Sequence, residues 1–151
     1  NKLKKKEFDA IVLSFAGIQM LKLENEVKEI FSLDKILPAL GQGVIALQSR
    51  QDDQKILNIL KMINHEETFY CVQAERALLE AIGGDCDTAI GGLAKLSNNK
   101  LILKSELFSD DGNKKFVAEN SGHLKDARDI GYRTGKELLQ KAGKNFKIKG
   151  N

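Results

Sequence analysis

The sequence predicts an α/β chain that closes in an α+β unit, a three-stranded antiparallel sheet packed on helices. Three observations carry this expectation. Ala74, Leu78, Ala81 and Ile82 recur at helical spacing. Residues 101–108 alternate, with Leu101, Leu103, Ser105 and Leu107 against Ile102, Lys104, Glu106 and Phe108. A closing helix from about Leu124 to Ala142 then puts Ala127, Ile130, Thr134 and Leu138 on one side. Helix, meander, helix stacks helices on one sheet face around a modest core.

The chain opens on Lys2, Lys4, Lys5 and Lys6, followed by Phe8-Asp9-Ala10-Ile11-Val12-Leu13, an apolar run of buried-strand type. Such a strand needs neighbours, and a chain opening here is expected to lack some of them. Leu21 to Phe31 reads as a short helical piece. Pro38, the only proline, stands just before Gly41 and Gly43 and marks a hinge or crossover. Val44 to Gln48 is a candidate strand, and a helix follows from about Asp52 to Ile63, with Ile56, Ile59, Leu60 and Ile63 on one face. Asp52 and Asp53 stand at its start, where the helix dipole favours them. Asn64 or Thr68 caps the next helix, which Gly83-Gly84 ends near Ile82. The strands are Ile90–Leu96, Leu101–Phe108 and Lys115–Glu119, joined by turns at Asn98-Asn99 and at Ser109 to Asn113. There is no internal repeat and no low-complexity segment.

A length of 151 residues allows one ordinary domain or two small ones. The hydrophobic fraction of 42% and charged fraction of 30% describe a soluble globular protein, with no apolar run of bilayer length and no signal-peptide pattern. Cytosolic or organelle-matrix residence is the default expectation. Cys71 and Cys86 form neither a disulfide framework nor a metal-ligand spacing, and Cys71 is expected to pack on a helix. The net charge of +3 is small, but lysines gather at both ends, the second group being Lys141, Lys144, Lys147 and Lys149. A solvated face or attraction for a polyanion both fit such runs.

Most chemistry lies in the stretch Ala74 to Gly92, where a helix runs into a glycine-rich loop holding Cys86 between Asp85 and Asp87. A helix C-terminus and two carboxylates disfavour the thiolate, the reverse of what a cysteine protease or redox dithiol requires. An attachment cysteine fits, because a reactive carbon electrophile is trapped by a thiol that nothing has sharpened. A small buried apolar residue is the alternative. Arg50 and Arg76 suit ion pairing as well as substrate contact, and His65 and His123 have no metal-ligand companion. The element order also fits a double-stranded-RNA-binding module. That module needs a lysine cluster at the start of its closing helix, where this chain has the mixed-sign stretch Gly122-His123-Leu124-Lys125-Asp126-Ala127-Arg128-Asp129.

Four motifs, in order and spanning nearly the whole chain, resemble the C-terminal half of the porphobilinogen deaminase (hydroxymethylbilane synthase) family. Phe8 to Leu13 with Ala16-Gly17 is similar to its "YDAIVLAxAG" segment, Leu37 to Gly43 to its "LPAVGQG" crossover, Ala74 to Ala77 to its "AERA" helix, and Gly84 to Gly91 to its "GGCxxPIG" cofactor loop. The resemblance implies that residues 1–37 end a second domain of a periplasmic-binding-protein-like two-domain region. Residues 38–43 would be the crossover, 44–62 a strand and helix returning to the first domain, and 64–151 a third domain.

It further implies a transferase of porphyrin and heme biosynthesis that joins four porphobilinogen molecules to a dipyrromethane primer, with loss of ammonia. Hydrolysis then releases hydroxymethylbilane. Cys86 would carry the dipyrromethane cofactor by a thioether, with Gly84 and Asp85 shaping its loop, and Gln42 and Lys22 are the substrate-binding candidates. Gln42 lines the cleft on this reading, or is a polar hinge residue on a structural one. The catalytic aspartate would lie upstream of Asn1, so that the chain is inactive by itself and its partners are porphobilinogen, the growing pyrrole chain and the N-terminal part of the same enzyme. A cytoplasmic, monomeric full-length protein, with no metal, membrane or nucleic acid, completes the implication. Three positions depart from the pattern: Met20 stands where "AGLxRL" has arginine, Asp85 replaces glycine, and Ala89 replaces proline. Lys22 offers a point charge near Met20 but not the two-pronged geometry of arginine.

Overall fold

The computed structural model describes residues 2–85, 87–143 and 146. It divides into two units, Asn1–Lys35 and Ile36–Asn151.

In the first unit the helical turns lie earlier than expected: α1 spans Phe15–Met20, and Glu24–Glu26 forms a single 3₁₀ turn in place of a helix over Leu21 to Phe31. Lys22 ends α1 in the left-handed region, with φ of 55°. Its N–H donates to the Gln19 carbonyl, and the Leu23 N–H donates to the Ile18 carbonyl, so the last turn is closed by backbone bonds. Phe8 to Leu13 is not a strand. Strand structure exists only through ladder bonds to a neighbour, and none of the described strands pairs with this run. Phe8, Ile11, Val12 and Leu13 are exposed accordingly.

The second unit begins with the same correction, because Val44 to Gln48 carries the apolar pattern of a strand but forms no ladder, and Ile45 is 88% exposed. Helix α2 spans Gln54–Ile63, with the Asp53 carboxylate accepting the Ile56 N–H. None of its residues is buried. Helix α3, Glu66–Ile82, is capped by neither expected residue: the His65 ring accepts the Thr68 N–H at 3.3 Å. Gly83 ends it at φ of 67°, and the Gly83 and Gly84 N–H groups turn back to the carbonyls of Glu80 and Leu79.

Strands β1 (Ile90–Ser97), β2 (Lys100–Phe108) and β3 (Lys115–His123) form an antiparallel sheet in that order. Asn98 and Asn99 both have positive φ, the type I′ geometry whose twist matches a two-residue hairpin. Leu101, Leu103, Ser105 and Leu107 are buried, so the alternation read from the sequence is the division between the two sheet faces. Leu124–Asp126 makes one 3₁₀ turn before α4, Ala127–Ala142. Ala127, Ile130, Thr134 and Leu138 all face the core, where they meet Ala74, Leu78 and Ile82 of α3 and the buried face of the sheet.

What lets α3 and α4 share that face is the absence of two side chains. A Cβ on Gly131 would lie 2.1 Å from the Ala74 carbonyl oxygen, 2.8 Å from the Ala77 Cβ and 2.9 Å from the Leu78 nitrogen. One on Gly135 would lie 2.7 Å from the Ala81 Cβ and 3.0 Å from the Leu78 carbonyl oxygen. Because these obstacles are mostly backbone, relief requires moving a helix. Gly131→Ala is therefore expected to lower unfolding free energy by about 3 kcal/mol, the upper end of ordinary overpacking costs. Gly17→Ala, with nothing within 4 Å, should not lower stability. Urea unfolding of the two variants checks the contrast, and equal losses would contradict the packing described.

Candidate functional site

Two segments of the second unit meet at the start of β1: the loop that follows α3, and the stretch Leu37 to Gln42. The loop is organised by Asp85 and Thr88. The Asp85 N–H donates to Thr88 Oγ1 at 2.9 Å, while the Asp85 carboxylate accepts the Asp87 N–H at 2.9 Å and the Thr88 hydroxyl at 3.4 Å. Gly84 is needed beneath them, since a Cβ there would lie 2.8 Å from Thr88 Oγ1. Asp85 is thus used inside the loop, bonded to Asp87 and Thr88. Cys86 itself lies outside the described residues.

The Ala89 carbonyl accepts the Phe108 N–H at 2.9 Å, which ties the loop's exit to β2. Alongside it, Leu37 to Gln42 is docked on β1. The Gly92 N–H donates to the Pro38 carbonyl at 2.9 Å. Gly91 and Gly92 make the approach possible, because Cβ atoms there would meet the Leu37 carbonyl oxygen at 3.1 Å and Leu40 Cδ2 at 2.5 Å.

Glu75 completes the junction from α3. This carboxylate is 5% exposed. One oxygen accepts the Gly41 N–H at 2.6 Å, and the other accepts the Ala94 N–H of β1 at 2.8 Å. Burial pushes the Glu75 carboxyl above the usual carboxylate range, and the two backbone N–H groups pull it partly back. One turn earlier, burial raises the half-buried Cys71 thiol, with the charges of Glu75 and then Glu67 adding to the effect. Cys71 packs against the core from α3, as expected from the sequence.

The other candidates fall in different places. Lys22 belongs to the first unit, in the closing turn of α1. Gln42 is exposed in the second unit, its N–H donating to the Ala39 carbonyl. Arg50 reaches Asp53 at 3.6 Å, and Arg76 is exposed on α3. His65 and His123 serve as caps, His123 accepting the Lys125 N–H. At the start of α4, Arg128 pairs with Glu80 at 2.8 Å and Arg133 with Asp129 at 2.9 Å. Glu75 was missed in the sequence. Its signal was a glutamate at helical spacing from Cys71, Leu78, Leu79 and Ile82, a helix face that is otherwise apolar.

A family model described as "Porphobilinogen deaminase, C-terminal domain" matches residues 69–140, and one described as "Porphobilinogen deaminase, dipyromethane cofactor binding domain" matches residues 1–58. The chain belongs to the porphobilinogen deaminase family.

The porphobilinogen deaminase of Coxiella burnetii (strain RSA 493 / Nine Mile phase I) is 39% identical over 142 residues, covering 94% of this chain and 46% of that protein. That of Syntrophomonas wolfei is 34% identical over 142 residues, with the same coverage of 94% and 46%. That of Desulforamulus reducens is 36% identical over 145 residues, covering 96% and 47%. The chain spans about half the length of these curated relatives. The two family models reach into both units, and the C-terminal one covers most of α3, the three strands and most of α4.

The raised Glu75 carboxyl has a consequence for stability. Its contribution is complete below the ordinary value of 4.5 and is lost as pH rises through the raised folded value, because the folded carboxyl holds its proton to higher pH than the unfolded one. Glu75→Gln cannot titrate, so its stability should gain on wild type as pH rises across that window. Urea midpoints at stepped pH check this, and a difference flat with pH would contradict it.

Proposed function

We propose that this chain is the C-terminal half of a hydroxymethylbilane synthase. The full-length enzyme joins four porphobilinogen molecules stepwise, with loss of ammonia, and releases hydroxymethylbilane by hydrolysis. The observation that carries the reading is the match of two porphobilinogen deaminase family models to successive parts of one chain.

The loop's residues suit a covalent cofactor. Gly83, Asp85 and Asp87 are exposed, which leaves room for a bulky group, and the sequence supplies one thiol between the two aspartates. Cys86 would hold dipyrromethane through a thioether, with Gly84 and Asp85 shaping the turn around it. When bound, that group supplies the free pyrrole end to which porphobilinogen units are added. The chain's own contribution is to anchor and to orient. Gln42 is an exposed amide on the docked segment, able to donate and accept with pyrrole N–H groups or carboxylate substituents. Lys22 offers a point charge to acetate or propionate groups, with less directional hold than an arginine.

The catalytic aspartate belongs, on this reading, to the upstream half, and residues 1–37, 38–43, 44–62 and 64–151 take the parts that the family resemblance implies. Uncovered apolar side chains support the division: Ile56, Ile59 and Ile63 on α2, and Ile45 and Leu47 before it, are exposed as if awaiting a partner surface. The full-length protein is read as a cytoplasmic monomer. No helix among the described residues is long and apolar enough to cross a membrane. Duplex RNA is not favoured as a partner, since Arg128 and Arg133 are paired with carboxylates within the chain.

Extended upstream to the relatives' length, the protein should consume porphobilinogen and carry covalent pyrrole, detected by intact mass and by colour with an acidic aldehyde reagent. The 151-residue chain alone should turn over none. Cys86→Ser in the extended protein should abolish the pyrrole adduct and reduce turnover to background. An extended wild-type protein without adduct would overturn the reading.

A further inference from the structure

The junction at Glu75 brings together α3, the Leu37 to Gln42 segment and β1. Its carboxylate is buried, and both oxygens are engaged, one by the Gly41 N–H and one by the Ala94 N–H. Gly41 lies one residue from Gln42, and Ala94 lies four residues past the point where the loop enters β1. A carboxylate is the group able to accept two N–H donors on two separate oxygens, whereas an amide has one oxygen and must turn its NH₂ toward one of those donors. Burial of an ionised group costs stability unless its hydrogen bonds are complete, so both bonds must be made together.

We infer that Glu75 is a positioning residue: its carboxylate, shared between Gly41 and Ala94, holds Leu37 to Gln42 along β1 and so fixes the backbone from which the exposed Gln42 side chain projects. The inference rests on the proposed function for the role of Gln42, and its geometry lies within the second unit alone. Docking has further contacts in the Gly92–Pro38 bond, Leu37 packed over Gly91 and Leu40 seated over Gly92. None of them engages Gly41. Without the carboxylate, the segment keeps these, and its glycine-containing end, Gly41 to Gly43, is free to swing.

Amide hydrogen exchange followed by NMR on the 151-residue chain tests this without porphobilinogen, so its outcome is separate from that of the cofactor experiment. In wild type, the Gly41 and Ala94 amide protons should be shifted downfield, as protons bonded to a carboxylate are. In Glu75→Gln both should move upfield, and exchange at Gly41 and at Gly92, whose own acceptor is untouched, should quicken at least tenfold. Leu103 in β2 should exchange at the wild-type rate.

Gly92→Ala approaches the same docking from the other side. It should quicken exchange at Gly41 while the Ala94 shift remains that of a carboxylate-bonded proton. Unchanged exchange at Gly92 in Glu75→Gln would overturn the inference, as would a uniform rise that includes Leu103, which would make Glu75 a general stabiliser. If Glu75→Gln fails to fold, Gly92→Ala decides: a fully protected Gly41 there overturns it.

Discussion

The arrangement depends on how closely α3 and α4 approach each other. Ala74, Ala77 and Ala81 on one helix and Gly131 and Gly135 on the other remove the side chains that ordinarily separate two helices, and backbone meets backbone. Close packing of this kind has no slack, so the axial position of α3 is fixed against the sheet. The loop and the docked segment both depend on α3. Its C-terminus, ended by left-handed Gly83, launches the loop that contains position 86, and its buried Glu75 reaches the docked segment.

Glu75 shows how position and stability part company. An apolar residue of similar size would bury more comfortably, since burial raises the carboxyl above its usual range. What an apolar residue cannot do is accept the Gly41 and Ala94 N–H groups, which would otherwise be left without partners inside the junction. The same trade-off runs through Gly91 and Gly92: side chains absent from the strand make room for Leu37 and Leu40.

The elements from α3 to α4 were legible because each was signalled locally and in agreement with its neighbours. Alternation from Leu101 to Leu107, the Asn98-Asn99 turn and the Gly83-Gly84 stop are short-range features, and each is present. Phe8 to Leu13 and Val44 to Gln48 misled for the opposite reason. Their composition is that of buried strands, but a strand is a relation between two segments, and the described residues offer no partner. The helix cap was also misread, because histidine is a rare choice and Asn64 stood next to it. Of the candidate site, the Gly84–Asp85 loop and the crossover could be named from motifs, whereas their connection through Glu75 is a contact between residues 34 positions apart in sequence.

The central claim is that one thiol of this chain carries the cofactor of a porphobilinogen deaminase. Cys71 and Cys86 fall on different tryptic peptides, residues 62–76 and 77–95, because Lys61, Arg76 and Lys95 bound them. Peptide mapping by mass spectrometry of the upstream-extended protein, after exposure to porphobilinogen, therefore assigns the adduct to one sulfur. The account predicts the mass of two linked pyrroles on residues 77–95 and none on residues 62–76. An adduct on the Cys71 peptide, or on neither, would contradict it.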